Sequence, residues 1–228
     1  IEESAFEKCT ALKTFVFPKS ITTLENKVFK GSGFESVSIP KSIVDFGDYV
    51  FSECPNLTTF EFEDGCTVMG DYMFAKCPQL SNVIIPESLT VIANSVFFGC
   101  SNLKTIKLPE TLTKIDYYAF YNSGLETISI PASTEEIGGQ VFRDCLSLRN
   151  VTFEGNIKKL GYDAFWNCTS IMSIVIPGEG LESIGSYLFE GWTKEQTVYF
   201  TISEEQVSQI SGNLEYLFYG CDAKVVYN

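Results

Sequence analysis

The chain contains no histidine among its 228 residues. That removes the general base of Ser-His-Asp and Cys-His nucleophilic sites and one of the two main zinc ligands. No C-x-x-C pair and no phosphate-cradling glycine loop occurs either. Basic charge is scarce: 16 Lys and Arg stand against 29 Asp and Glu, a net charge of −13. That balance argues against nucleic acid and anionic membrane as partners, since both need clustered Lys and Arg. No apolar run reaches spanning length, so no direct membrane insertion is expected in this segment. Carboxylate pairs such as Glu61/Glu63 and Glu135/Glu136 are the ordinary makings of a solvated face. The inventory therefore reads as non-enzymatic, with no catalytic, cofactor-binding or metal-binding residue to name.

Phenylalanine, in contrast, is abundant and regularly spaced. Phe6, Phe29, Phe51, Phe74, Phe97, Phe120, Phe142, Phe165 and Phe189 follow one another at intervals of 22 to 24 residues. A period held so tightly is the mark of stacked supersecondary units. Three residues after most of these anchors comes cysteine (Cys9, Cys54, Cys77, Cys100, Cys145, Cys168), and three further on a Leu or Ile. Two apolar positions then flank one outward position, as in Val37/Ile39, Phe60/Phe62, Ile106/Leu108 and Ile174/Ile176. That period of two reads as a short strand. Proline follows at Pro18, Pro40, Pro86, Pro109, Pro131 and Pro177, where its missing N–H stops the strand.

A second stripe follows the proline: Ile21/Leu24, Ile43/Phe46, Cys66/Met69, Leu89/Ile92, Leu112/Ile115, Ile157/Leu160 and Leu181/Ile184. Glycine often comes next, at Gly47, Gly70, Gly138, Gly161 and Gly185, suggesting a turn that needs positive φ. Each repeat thus predicts one coil: strand, proline corner, second extended piece, glycine turn, and a short helical or 3-10 turn holding the anchor. No coil can bury its own apolar edge, so the coils must stack.

The segment Leu103-x-x-Ile106-x-Leu108 matches the L-x-x-L-x-L of a leucine-rich repeat, with Pro109 and Leu112 where that family usually carries Asn or Cys. This variant resembles the BspA-like family of surface leucine-rich-repeat proteins, over most of the chain. The resemblance implies a repeat solenoid: a right-handed coil with a parallel β-sheet on one face and short helical or 3-10 turns on the other. It also implies a secreted or cell-surface setting, often adhesive, and brings no catalytic residues with it.

Seven of the eight cysteines share one register, counting Cys221 after Phe218, and Cys66 takes a core register usually held by Leu or Ile. Ser32, Ser123 and Trp192 replace the ladder cysteine elsewhere. Such exchange marks a small packing site, so buried free thiols are expected instead of bridges. After Phe189 the pattern bends. Ser203-Glu204-Glu205-Gln206 has the form of a capping box, Asn213 is placed to cap a short helix over 214–219, and 224–227 reads as a last strand. The organisation expected is 1–191 as repeats and 192–228 as a C-terminal cap. Ile1 falls in mid-repeat, which predicts a leader, cap or further repeats upstream.

Two outward ladders flank the inward strand positions and form the candidate binding face: Thr14, Ser36, Thr59, Asn82, Thr105, Thr127, Asn150 and Ser173 on one side, Val16, Glu61, Ile84, Lys107, Ser129, Thr152 and Val175 on the other. A second candidate is an aromatic patch of Phe98, Tyr121 and Trp166, each immediately after an anchor. Phe98 and Tyr121 are on adjacent repeats in one register and are expected to touch. The expected function is a binding module for a host or neighbouring-cell protein or glycan. The alternative is a stalk presenting another domain.

Overall fold

The computed structural model describes every residue from Ile1 to Asn228 except Asp64 and Cys66, so the expectation for Cys66 lies outside the described residues. The chain is a parallel β-solenoid. The nine anchor rings stand in single file and the file runs on to Phe218, with neighbouring centroids 5.3 to 6.3 Å apart and ring planes within 17° of parallel. From Phe29 to Phe189 every anchor is fully buried. This file is the axis of the core, and the inward strand residues and the second stripe pack around it.

Each coil has three sides. The front side carries the four-residue strands Ser36–Ile39, Thr59–Phe62, Thr127–Ile130, Asn150–Phe153, Ser173–Ile176, Thr197–Phe200 and Lys224–Tyr227, with Asn82–Ile84 one residue shorter. Their burial alternates as the period of two requires: Ser36 and Ser38 face out, Val37 and Ile39 face in. The second side carries two-residue strands from the second stripe. Those between Val91–Ile92 and Ser183–Ile184 form one continuous five-stranded parallel sheet.

The third side holds the anchors. The expected helical turn takes the form of a run of hydrogen-bonded turns with two left-handed residues, two before and two after each anchor. Tyr72 and Lys76 flank Phe74 in this way, at φ 56° and 59°. Left-handed residues aim alternate amides along the solenoid axis. Tyr72, Phe74 and Lys76 donate to the carbonyls of Asn94, Val96 and Phe98 in the next coil, at 2.8, 3.0 and 2.6 Å. The same three-bond ladder recurs in every coil from Ser4 to Glu190, and the last coil keeps its outer two bonds, Tyr187 to Tyr216 and Gly191 to Gly220.

The glycines after the second stripe serve another purpose than the one expected. Gly47, Gly70, Gly138, Gly161 and Gly185 are absent from the positive-φ residues. A Cβ on Gly138 would stand 2.7 Å from the Tyr117 nitrogen, and one on Gly70 would overlap the Gly47 carbonyl oxygen. These positions are glycine because successive coils touch backbone to backbone there. Left-handed positions, meanwhile, are held largely by side-chain-bearing residues. A non-glycine residue in that region is strained by about 1–2 kcal/mol. Gly31, Gly99 and Gly191 relieve it in three coils at the position where others carry Glu53, Lys76 or Asn167. Glu53→Gly is expected to raise stability by about 0.5 kcal/mol net of the extra freedom glycine gives the unfolded chain. Urea denaturation checks it, and a lower midpoint would contradict the strain argument.

The cysteine register is a donor position as well as a packing site. The thiols of Cys54, Cys77, Cys100, Cys145 and Cys168 donate to the carbonyls of Phe29, Phe51, Phe74, Phe120 and Phe142, at 2.9 to 3.3 Å. Trp192 supplies its indole Nε1–H to Phe165 O in the same way, at 2.9 Å. Ser32 and Ser123 link by their hydroxyls to the next thiol in the column. Cys, Ser and Trp share this register because all three bring a polar hydrogen. The seven described cysteines are unbridged; five are buried, Cys221 is half-buried and Cys9 is exposed.

Toward the C-terminus the helix α1, Glu204–Ser211, begins on Ser203 with a complete capping box and ends on Gly212 at φ 72°. A one-turn helix α2, Leu214–Leu217, is capped by Asn213 and is shorter than the 214–219 expected. The strand Lys224–Tyr227 pairs in parallel with Thr197–Phe200 and extends the front side.

Candidate functional site

Every one of the fifteen candidate front-face residues is exposed except Thr59, which is half-buried. The parallel pairing places Ser36 beside Thr59, Thr59 beside Asn82, and Glu61 beside Ile84. Further along, Thr127 pairs with Asn150, Ser129 with Thr152, and Val175 with Tyr199. The face is small and polar on its first ladder. Its second ladder also holds exposed apolar groups: Val16, Ile84, Val175 and Tyr199.

The front sheet is less regular than its sequence. Residues 14–17 and 105–108 keep the alternation of burial but are not hydrogen-bonded strands. Among the described residues the backbone of 105–108 bonds to neither neighbouring strand. Nor does Asn150–Phe153 pair with Ser173–Ile176. The sheet therefore parts into three pieces: 36–84, 127–153 and 173–227.

Clefts lie at two of these partings. One, of about 500 Å³, runs between 82–87 and 105–107. Its edge carries the Lys107 to Glu87 ion pair at 2.8 Å. The hydrogen bond from Lys107 holds the Glu87 carboxyl below its ordinary value, and the same bond raises Lys107. The other cleft, of about 430 Å³, lies between 151–156 and Ser173, Val175 and Pro177. Thr105, Lys107, Asn82 and Ile84 thus share one cleft, and Thr152, Ser173 and Val175 the other. Thr14 and Val16, at the far end, join neither.

The aromatic candidates lie on the anchor side. Phe98 and Tyr121 stack as expected, 5.1 Å between centroids and 14° from parallel. Trp166 does not meet them directly. Arg143, one coil before it, lays its guanidinium 3.9 Å from the Trp166 ring and donates to Asp163 at 3.0 Å. Burial pushes the Asp163 carboxyl up, against the pull of Arg143. All three aromatics are half-buried, so they seal coil edges more than they form an open patch. Sequence reasoning missed Arg143. Its signal was available, since it occupies the register after an anchor between Tyr121 and Trp166.

Among the described residues, no group of three or more His, Cys, Asp or Glu side chains is placed to hold a metal ion, and no helix is long and apolar enough to cross a membrane.

The repeat geometry agrees with what the chain matches. The family model for the BspA type leucine rich repeat region fits in six copies, over residues 1–126, 67–195 and 113–226. The chain belongs to this family. No curated protein matches it. Among solved structures, a leucine-rich repeat protein from Bacteroides ovatus is 22% identical with a TM-score of 0.50, covering 98% of this chain and 80% of its own. The T. pallidum leucine rich repeat protein is 21% identical with a TM-score of 0.58, over 83% and 87% of the two chains. The pneumococcal vaccine antigen PcpA is also 21% identical with a TM-score of 0.58, over 98% of this chain and 64% of PcpA. At these identities the likeness is one of fold.

Proposed function

We propose that this BspA-type repeat chain is a secreted or cell-surface binding module whose front sheet contacts a host or neighbouring-cell protein or glycan. One observation carries the reading: both clefts with strand-face walls open where the front sheet parts, and exposed apolar side chains stand in each, Ile84 in one and Val175 in the other. Recognition surfaces pair concave relief with a few apolar anchors inside a polar rim. Here the rim is the Thr, Ser and Asn ladder. A surface setting is consistent with the vaccine-antigen role of PcpA. An acidic, histidine-free chain that, among the described residues, has no His, Cys, Asp or Glu group placed to hold a metal ion suits binding better than chemistry. Residues 192–228 serve in this reading as the closing cap of the solenoid.

The test is a solid-phase screen of the purified chain against immobilised matrix proteins and a glycan array, repeated with Ile84→Asp and Val175→Asp. Both side chains are exposed, so the fold is expected to tolerate the changes within about 0.5 kcal/mol. Capture of a probe is expected to weaken about tenfold or more in at least one variant, the size of a lost interface anchor. Capture unchanged in both variants would overturn the front-face assignment. Capture of nothing by the wild-type chain would favour the spacer reading instead.

A further inference from the structure

Two residues before each anchor stands a left-handed residue on the anchor side. Reading that column along the solenoid gives Lys27, Tyr49, Tyr72, Ser95, Tyr118 and Gln140. Tyr49 and Tyr72 stack face to face, 4.5 Å between centroids and 8° from parallel. Tyr118 stands two coils beyond Tyr72, and the coil between contributes only the Ser95 hydroxymethyl. One ring is therefore missing from a file of tyrosines. The anchor rings of the same coils step by 5.6 and 5.3 Å, so two such steps separate the flanking tyrosines. One ring set midway would stand about as far from each tyrosine as the anchor rings stand from one another.

The structure has a slot of about 380 Å³ at this place, lined mostly by apolar surface. Tyr49, Tyr72, Tyr118 and Phe98 wall it, and the buried Ser52, Ala75 and Ser95 floor it. Both floor hydroxyls are already used: Ser52 Oγ donates to Tyr49 O at 3.1 Å and Ser95 Oγ to Asn94 Oδ1 at 2.7 Å. Neither hydroxyl has a hydrogen left to donate, so the floor offers a guest acceptors alone and few placed polar partners, which suits a ring better than a sugar. Charge lies only at the rim. Glu53 pairs with Lys30 at 3.3 Å, and Lys30 also lies 5.6 Å from the Tyr49 ring. Lys76 lines the slot, is exposed, and makes no ion pair among the described residues. Lys76 is thus a cation without an ion-pair partner among the described residues at one end of an aromatic slot, while the Asp48 and Asp71 carboxylates lie toward Tyr49 at the other.

We propose that the slot between Tyr72 and Tyr118 binds a planar aromatic ring carrying a carboxylate, with the ring completing the tyrosine file and the carboxylate meeting Lys76. Stacking on tyrosine faces supplies the affinity, and the unpaired ammonium selects acid over amine. The site lies on the anchor side and does not depend on the front-sheet reading.

Saturation-transfer NMR on the full chain, with indole-3-acetate as probe, tests this. A dissociation constant on the order of 1 mM is expected for a ring of this size. Indole-3-acetamide and tryptamine are expected to bind about threefold more weakly or less, the scale of an exposed ion pair. Ser95→Tyr places a ring in the vacancy, in a backbone conformation that Tyr49, Tyr72 and Tyr118 already adopt, and is expected to abolish binding. Lys76→Gln, an exposed change, is expected to bring the acid down to the affinity of the amide. A peptide ending in a Trp carboxylate distinguishes the source: binding about tenfold tighter than the free acid points to a chain terminus, and equal binding to a free aryl acid. No signal from the wild-type chain would overturn the proposal. So would undiminished acid binding in folded Ser95→Tyr, or an acid-to-amide preference that survives Lys76→Gln.

Discussion

Phe97→Ala is expected to lower the unfolding free energy by about 4 kcal/mol, read from the urea midpoint at constant slope. Phe97 is fully buried and stacks on both Phe74 and Phe120, at 5.6 and 5.3 Å. Truncation removes the transfer free energy of the ring, leaves a hole the coils cannot close, and breaks two stacking contacts together. The hole cannot close because the amides of Phe97 and its neighbours are pinned to the next coil: Ser95, Phe97 and Gly99 donate to Tyr117, Ala119 and Tyr121 at 2.8 to 2.9 Å. A lesion in the middle of a stack also weakens coupling between the halves, because each coil leans only on its neighbours. Hydrogen exchange is therefore expected to quicken on both sides of coil 97 and to stay near wild type at the ends. Phe98→Ala, one residue on, is the control. That ring is half-buried and stacks only on Tyr121, so a loss of about 1–2 kcal/mol is expected. Equal losses at the two positions would mean that the single file of anchors is not the axis of the core.

The anchor file, the inward strand pairs and the C-terminal capping box were legible because each is written within one repeat. Phe97, Cys100, Leu103, Ile106 and Leu108 state their burial by spacing alone. What escaped the sequence lies between repeats. Gly70 looks like any turn glycine until the carbonyl of Gly47 is seen in the space its Cβ would take. Cys100 looks like a small apolar filler until the Phe74 carbonyl appears at 3.2 Å. Residues 105–108 have the same outward and inward pattern as 127–130, yet only the latter are paired in the sheet. Alternation fixes which way a side chain points, and carries no information about whether the neighbouring strand is within hydrogen-bonding reach. The front-face residues thus point outward as their alternation implies, while the clefts that divide them were not visible.

The same distinction separates the two sides of the solenoid. The front sheet, where recognition is proposed, is the side that parts. The anchor side carries the ladder of amides, complete from Ser4 to Glu190, and the stacked rings, and so sets the spacing of the coils. A rigid rear side lets the front strands separate locally without loss of register. A binding face built this way gains relief from the opened strands while its supports stay fixed.

The cysteine column makes the most direct chemical prediction. Burial raises the Cys100 thiol to about 12 and Cys145 to about 11, with the Ser123 hydroxyl offsetting part of the effect at Cys145, and pushes Cys168 well above its ordinary 9.0. In the Cys54 and Cys77 pair, interaction with Cys77 draws Cys54 down while burial pushes Cys77 up, so Cys54 acts below pH 9 and Cys77 adds to the loss above it. Above pH 9 the unfolded chain sheds the protons of Cys100, Cys145 and Cys168 while the folded chain keeps them. The unfolded state then binds fewer protons, and stability falls as pH rises. The stabilisation is complete below pH 9 and is lost progressively toward the folded values, ending near 11 for Cys145 and near 12 for Cys100. Between pH 10 and 11 Cys100 and Cys145 together give a slope of between one and two protons, about 2 kcal/mol per pH unit, and Cys168 adds to it in the same direction. Urea denaturation under reducing conditions from pH 8 to 11 measures it. The comparison is the triple variant Cys100→Ser, Cys145→Ser and Cys168→Ser, since Ser32 and Ser123 already occupy this register. The serine variant keeps a hydroxyl for each anchor carbonyl and has nothing to titrate there. Its stability is expected to fall more gently above pH 9, through the retained Cys77 and Cys221, whose thiols burial also raises, and then through the raised tyrosines Tyr49, Tyr121, Tyr162 and Tyr227 as they ionise in the unfolded chain. Alkaline limbs of equal steepness in the two proteins would show that the thiols are not sealed in the core, and with them would go the picture of each sulfhydryl locked onto the anchor carbonyl of the coil before it.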